Sequence, residues 1–184
     1  MLILFNKPFQ VLCQFSPQEG RQSLADYVTI PGIYPAGRLD ADSEGLMLLT
    51  DDGNLQHRIA HPDHKEAKTY LVQVDGVPDA PALARLQAPI DLGDFITKPC
   101  RAVQIAEPEW LWPRDPPIRT RADKPTAWIA ITLEEGKNRQ VRRMTAAVGL
   151  PTLRLVRSSI GPFSLATHPL MPGESVQVSS ALVK

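Results

Sequence analysis

An α+β fold around a mostly antiparallel, mixed central sheet with flanking helices is what the sequence predicts. Short β-rich runs outnumber helical ones, strands follow one another with only a few helices inserted, and no segment repeats. At 184 residues, with 43% apolar and 22% charged, the chain can bury a substantial core as one domain or as two closely packed lobes.

Taken in order, the run LILFN at 2–6 is a short apolar strand, interrupted by Asn6, Lys7 and Pro8 too soon for a signal peptide or a membrane span. GLMLLT at 45–50 is apolar at nearly every position, as in a strand buried on both faces. A helix fits 54–60. In KTYLVQV at 68–74, Lys68, Tyr70, Val72 and Val74 share one face of a strand. A second helix fits 79–87. Five prolines make 107–125 (EPEWLWPRDPPIRTRADKP) a long irregular loop. TAWIAITL at 126–133 is β-rich. A third helix fits 139–148, with Asn138 capping its start and Gly149 its end. TLRLV at 152–156 and ESVQV at 174–178 complete the strands.

The net charge is zero, yet its distribution is uneven. Residues 1–97 carry 7 basic and 13 acidic side chains, and residues 98–157 carry 12 basic and 6 acidic ones. Such asymmetry builds a positive face on a neutral protein, which suits nucleic acid, although a solvated surface shows it too. The loop at 107–125 interleaves Trp110 and Trp112 with Arg114, Arg119, Arg121 and Lys124, types that stack on bases and hold phosphates. The tryptophans equally fit a role covering the edge of the core. Two distant cysteines, Cys13 and Cys100, exclude a disulfide framework and fit a reducing cytoplasm.

The segment GRLDADSEGLMLLTDDG at 37–53 crowds five carboxylates beside one arginine. As a calcium loop starting at Asp40 it has Glu44 where Asp or Asn is usual and the short Asp51 where a bidentate Glu is needed. It also lacks flanking helices. His57, His61 and His64 do not make a zinc site, since Pro62 ends any helix after His61. No metal is expected. Asp40, Asp42 and Glu44 on one extended face would resemble a glycosidase pair, but no aromatic sugar platform lies nearby. There remains one working Asp, with Arg38 two residues before it and on the same side of an extended segment. On the helix at 139–148, Val141, Met144 and Val148 form the apolar stripe. Arg139 and Arg143 point away from it toward phosphates, and Arg142 lies at the boundary, able to reach inward to a carboxylate.

Taken together, NKP at 6–8, the 37–53 segment, KTY at 68–70, EGKNRQVRRM at 135–144 and LRLVRSSIG at 153–161 resemble the RsuA/RluB/RluE/RluF branch of bacterial ribosomal-RNA pseudouridine synthases. The resemblance spans nearly the whole chain, with its motifs in order. It implies the pseudouridine synthase fold and isomerisation of a uridine in 23S ribosomal RNA to pseudouridine, on free RNA or a precursor of the large subunit. No cofactor is needed. Asp40 matches the family's catalytic Asp, Tyr70 the tyrosine that stacks on the target uracil, and Arg142 the arginine that pairs with the Asp. Lys7 and Lys68 match supporting motif positions and are expected to contact RNA. Arg38 is expected to help hold the flipped nucleotide, and Arg139, Arg143, Arg114, Arg119 and Arg121 to contact RNA. Asp42, Glu44, Asp51 and Asp52 are left as turn, cap or solvated residues.

Many relatives carry an N-terminal S4 RNA-binding domain, whereas this chain starts almost at its first motif. A single catalytic domain over 1–184, monomeric and cytoplasmic, is therefore expected, with the 107–125 loop as the extra RNA contact. A noncatalytic RNA-binding module on the same fold is the alternative, and activity of an Asp40 variant separates the two.

Overall fold

The computed structural model describes residues 1–61, 63, 66–119 and 121–183. Among them are nine strands and three α-helices, an α+β fold. The chain divides into two compact units, the first made of Met1–Glu66 with Arg157–Lys184 and the second of Ala67–Val156.

In the first unit, β1 (Leu2–Lys7) pairs antiparallel with β3 (Glu44–Thr50), in a register that sets Lys7 opposite Gly45 and Phe5 opposite Met47. β9 (Ser175–Val178) lies on the other side of β1, and the two-residue β2 (Tyr34–Pro35) pairs with β3. Every residue of β1 and β3 is buried, as the unbroken apolar run at 45–50 requires of a strand covered on both faces. One face packs Ile3, Phe5, Met47 and Leu49 against Val11, Leu24, Ile33 and Leu39. Helix α1 (Gly53–Ala60) starts at Asp52, whose carboxylate accepts from the amides of Asn54 and Leu55. Its Leu55 and Ile59 are buried.

In the second unit, β4 (Lys68–Asp75) pairs antiparallel with β6 (Thr126–Leu133) along its whole length, and β5 (Arg101–Ile105) pairs with β6 on the other side. Tyr70, Val72 and Val74 of β4 lie in one core with Ile129 and Ile131 of β6. Helix α2 (Ala80–Gln87), capped by Asp79, adds Leu86 to that core. Helix α3 (Gln140–Ala147) adds Val141 and Met144. β7 (Thr152–Ile160) starts in this unit and ends in the first, where it turns into β8 (Phe163–Ser164).

The structure departs from expectation in three places. Asn138 does not cap α3; Arg139 occupies that position with φ 51°, and no side chain caps the helix. The run at 152–156 continues as strand to Ile160. The strand at 101–105 was not anticipated; only Ala102 of RAVQI is buried, so the run carries little burial signal. As expected, no strand forms between 106 and 125 among the described residues.

Gly45 shows how tightly β3 is held. Its φ is +111°, and a Cβ there would lie 2.3 Å from the carbonyl oxygen of Arg157. Gly53, at the start of α1, has open space around it. Gly45→Ala is therefore expected to destabilise the protein by roughly 2–4 kcal/mol, whereas Gly53→Ala is neutral or mildly stabilising. Urea unfolding of both variants checks the contrast.

Candidate active site

Asp40 stands in a turn between β2 and β3, not on an extended strand. Leu39 is buried in the first unit's core and fixes the middle of the approach, while Arg38 is exposed and Asp40 half-buried. The peptide carbonyl of Asp40 accepts from the amide of Ser43 at 3.0 Å, closing the turn. The next carbonyl, that of Ala41, accepts from the amide of Gln10 at 2.7 Å and from Lys7 Nζ at 3.3 Å. Lys7 also donates to the carbonyls of Pro8 and Val11, each at 2.9 Å, so its ammonium engages three backbone acceptors.

Lys7 is fully buried. Its assignment to RNA is corrected: an ammonium with no exposed surface, surrounded by carbonyls, holds the backbone around Asp40 and does not touch a phosphate. Burial pushes the ammonium down from 10.5 to about 8; Cys13, Glu44 and Asp42 pull it back up, and Arg157 pushes it further down. Glu44, expected in solvent, is also corrected, since it is 1% exposed at the start of β3. Asp52 is the cap of α1, and Asp51 pairs with the N-terminal ammonium at 2.6 Å, which holds its carboxyl below the usual range.

Arg157 was quoted within a motif but given no role. It is 4% exposed, and its guanidinium donates from Nε to the Leu46 carbonyl at 2.8 Å and from Nη1 to the Arg38 carbonyl at 3.2 Å. The available signal was an arginine next to Leu155 and Val156 within the run LRLVRSSIG.

In the second unit, Tyr70 is 9% exposed and packs in the core beside Val72. Lys68, two residues earlier on β4, is half-buried. The segment leading into α3 is braced by the buried Gln140, whose Nε2 donates to Glu135 at 2.7 Å and whose Oε1 accepts from the Lys137 amide at 3.2 Å. Glu135 also accepts from the Lys98 amide at 3.0 Å. That bracing sets Arg139, exposed, at the start of the helix. Along α3, Val141 and Met144 are buried, and Arg142 and Arg143 are both half-buried.

Arg143 does not stand ready for a phosphate. It pairs with Asp94 through both nitrogens of its fork, donates to the Leu92 carbonyl at 2.7 Å, and lies over the Phe95 ring at 5.4 Å. The pairing holds the Asp94 carboxyl below its ordinary range. Arg114 likewise donates to the carbonyls of Pro116 at 2.8 Å and Leu153 at 3.5 Å. Arg119 and Arg121 are exposed. Trp112 is buried, with Arg154 over its ring at 5.8 Å, while Trp110 is 40% exposed.

The structure thus gathers Lys7, Arg38 and Asp40 in the first unit. Lys68, Tyr70, Arg139, Arg142, Arg143 and the loop arginines belong to the second. Among the described residues no three His, Cys, Asp or Glu side chains gather as a metal site, and Glu44–Thr50 is strand where a calcium loop would lead into a helix. His57 and His61 stack with ring centroids 4.8 Å apart; Pro62 and His64 lie outside the described residues. No helix among the described residues is long and apolar enough to cross a membrane.

An α+β fold with one carboxylate on a pinned turn, a strand tyrosine and an arginine-bearing helix matches a known family. The RNA pseudouridylate synthase model aligns with residues 1–147. A protein of Xanthomonas campestris named ribosomal large subunit pseudouridine synthase E is 53% identical over 176 residues, covering 95% of this chain and 93% of that one. One of the same name from Vibrio parahaemolyticus is 51% identical over 173 residues, covering 94% of this chain and 71% of that one. A crystal structure of a pseudouridylate synthase superposes with a TM-score of 0.79 at 30% identity, over 99% of this chain and 71% of that one. The chain belongs to the RNA pseudouridylate synthase family, enzymes that isomerise uridine to pseudouridine in RNA.

The Lys7 ammonium has a testable signature. Its folded value near 8 lies below the ordinary 10.5, so between those values the unfolded chain binds more protons, and stability rises with pH. The contribution is fully present above 10.5 and is lost as pH falls through 8. Urea unfolding of the wild type against Lys7→Met at several pH values should show the difference shifting toward the wild type by up to about 3 kcal/mol across that window.

Proposed function

We propose that the protein converts a uridine of 23S ribosomal RNA to pseudouridine, acting as a cytoplasmic monomer, with Asp40, Tyr70 and Arg142 as its catalytic residues. The observation that carries the assignment of Asp40 is its turn. Asp40 is the half-buried carboxylate whose own and neighbouring carbonyls are tied to Ser43, Gln10 and the buried Lys7. The names of the Xanthomonas and Vibrio relatives support the large-subunit substrate.

The reaction conserves every atom of the nucleoside. The N1–C1′ bond breaks, the freed uracil turns within the site, and a C5–C1′ bond forms; C5 then loses its proton and N1 gains one. Asp40 supplies the carboxylate that opens the reaction at the ribose, by attack on C1′ or removal of the 2′ proton. Tyr70 gives the uracil a π-face and accepts the C5 proton. Arg142 contributes a guanidinium from α3. The target base must leave its stack, and exposed Arg38 and Arg139 hold the backbone of the flipped nucleotide. Lys68 supports Tyr70 from the same strand.

Asp40→Asn is expected to lower turnover on 23S ribosomal RNA by a factor on the order of 10³ or more with RNA affinity largely kept. Asp42→Asn should cost little. A single-turnover assay of tritium release from C5 checks both; comparable losses at the two positions would sink the single-carboxylate assignment.

For the loop, Arg119 and Arg121 carry the contact to RNA, since Arg114 is engaged with backbone carbonyls. The double change to Ala is expected to raise Kd for 23S ribosomal RNA roughly tenfold at moderate salt and to flatten its salt dependence by about two slope units. The saturating single-turnover rate should hold. Filter binding across a salt series measures the first, and unchanged affinity would make the loop structural.

A further inference from the structure

We infer that Arg157 is a positioning residue for Asp40; this rests on Asp40 being the catalytic carboxylate as proposed above. The two carbonyls that its guanidinium grips belong to Arg38 and Leu46, which bracket Asp40 on both sides along the chain. Between them the Ser43 amide closes the turn on Asp40, and Lys7 holds Ala41. With both ends of 38–46 fastened to one side chain, the turn cannot slide along its neighbours.

Three observations argue that the grip has a purpose beyond filling space. Arg157 is 4% exposed and close enough to Lys7 to depress its ammonium, so two cations share one buried region. An apolar side chain of similar length would avoid that cost. Its planar fork sends Nε and Nη1 to the two carbonyls in fixed directions, a geometry that a lysine's compact ammonium on a shorter stem does not reproduce. The backbone of Arg157 also lies against Gly45, where a Cβ would come within 2.3 Å of its carbonyl oxygen. Side chain and main chain of one residue therefore clamp the segment that carries Asp40. Displacing a reacting group by about 1 Å costs as much as a hundredfold in rate, and that is the loss the clamp prevents.

The test compares Arg157→Lys, Arg157→Met and Asp40→Asn with Phe163→Leu, a change at a fully buried position of the same unit whose side chain donates no hydrogen bond to either carbonyl. Each is assayed well below its melting temperature for the single-turnover rate at saturating in vitro transcribed 23S ribosomal RNA, for Kd, and for Tm. The expected result for Arg157→Lys is a tenfold to hundredfold fall in the single-turnover rate with Kd changed less than about twofold. Phe163→Leu should keep its rate at a comparable loss of Tm, and Arg157→Met should be slower than Arg157→Lys. A wild-type rate in Arg157→Lys overturns the inference. So does a loss that Phe163→Leu reproduces, or one appearing only in Kd. Should Arg157→Met fail to fold, Arg157→Lys decides, because it keeps the charge and most of the packing. Full activity in Asp40→Asn would instead remove the catalytic reading beneath the inference, which separates the two failures.

Discussion

Buried positive charge gripping backbone carbonyl oxygens is the interaction on which the first unit depends. Neither Lys7 nor Arg157 can be stripped of water without acceptors, and the carbonyls of Pro8, Val11, Ala41, Arg38 and Leu46 supply them. All but Leu46 lie outside the strands, so the two side chains do for the turn what a neighbouring strand does for β3. The register of β1 with β3 places Lys7 opposite Gly45, and the absent side chain at Gly45 admits the backbone of Arg157. Ladder, glycine and cations are therefore one arrangement: lose the register and neither cation reaches its carbonyls.

The second unit uses cations the same way, with Arg154 buried and the others nearer the surface. Arg143 ties α3 to the turn at Leu92–Asp94, Arg154 lies over Trp112 and donates to its carbonyl, Arg114 braces the proline-rich loop, and Lys124 pairs with Asp75 at 2.8 Å. The excess of basic residues over 98–157 is thus partly structural. What is left for an anionic partner is a smaller set, with Lys98, Arg101, Arg119, Arg121, Lys137 and Arg139 exposed. Charge counted along a sequence overstates the charge presented to solvent wherever guanidinium groups double as loop braces.

This explains which parts could be read from the residues. The strands at 2–6, 45–50, 68–74 and 126–133 were legible because alternation or unbroken apolarity reports burial directly. The family motifs singled out Asp40, Tyr70 and Arg142. Buried Lys7, Glu44 and Arg157 were not legible as buried, because their partners include peptide carbonyls or charges distant in sequence, and a carbonyl has no letter of its own. The edge strand at 101–105 escaped for a related reason: Arg101 and Gln104 face solvent, and its definition comes from pairing with β6. Asn138 lost the capping position to Arg139 because Gln140, braced on Glu135, fixes where the helix begins.

An isomerisation that returns every atom to its product draws little on the electronic resources that a metal or redox carrier supplies, and much on placement. The uracil must be freed from C1′, turned and rejoined without leaving, so the groups that meet it must not move while it does. A carboxylate on an ordinary surface turn would fail that demand, since exposed turns fluctuate more than the elements they join. Anchoring the turn through its carbonyls meets that demand. The other carboxylates at 40–52 are placed differently: Glu44 is enclosed in β3, Asp52 caps α1 and Asp51 pairs with the N-terminal ammonium, while the clamps converge on the turn that carries Asp40 and Asp42.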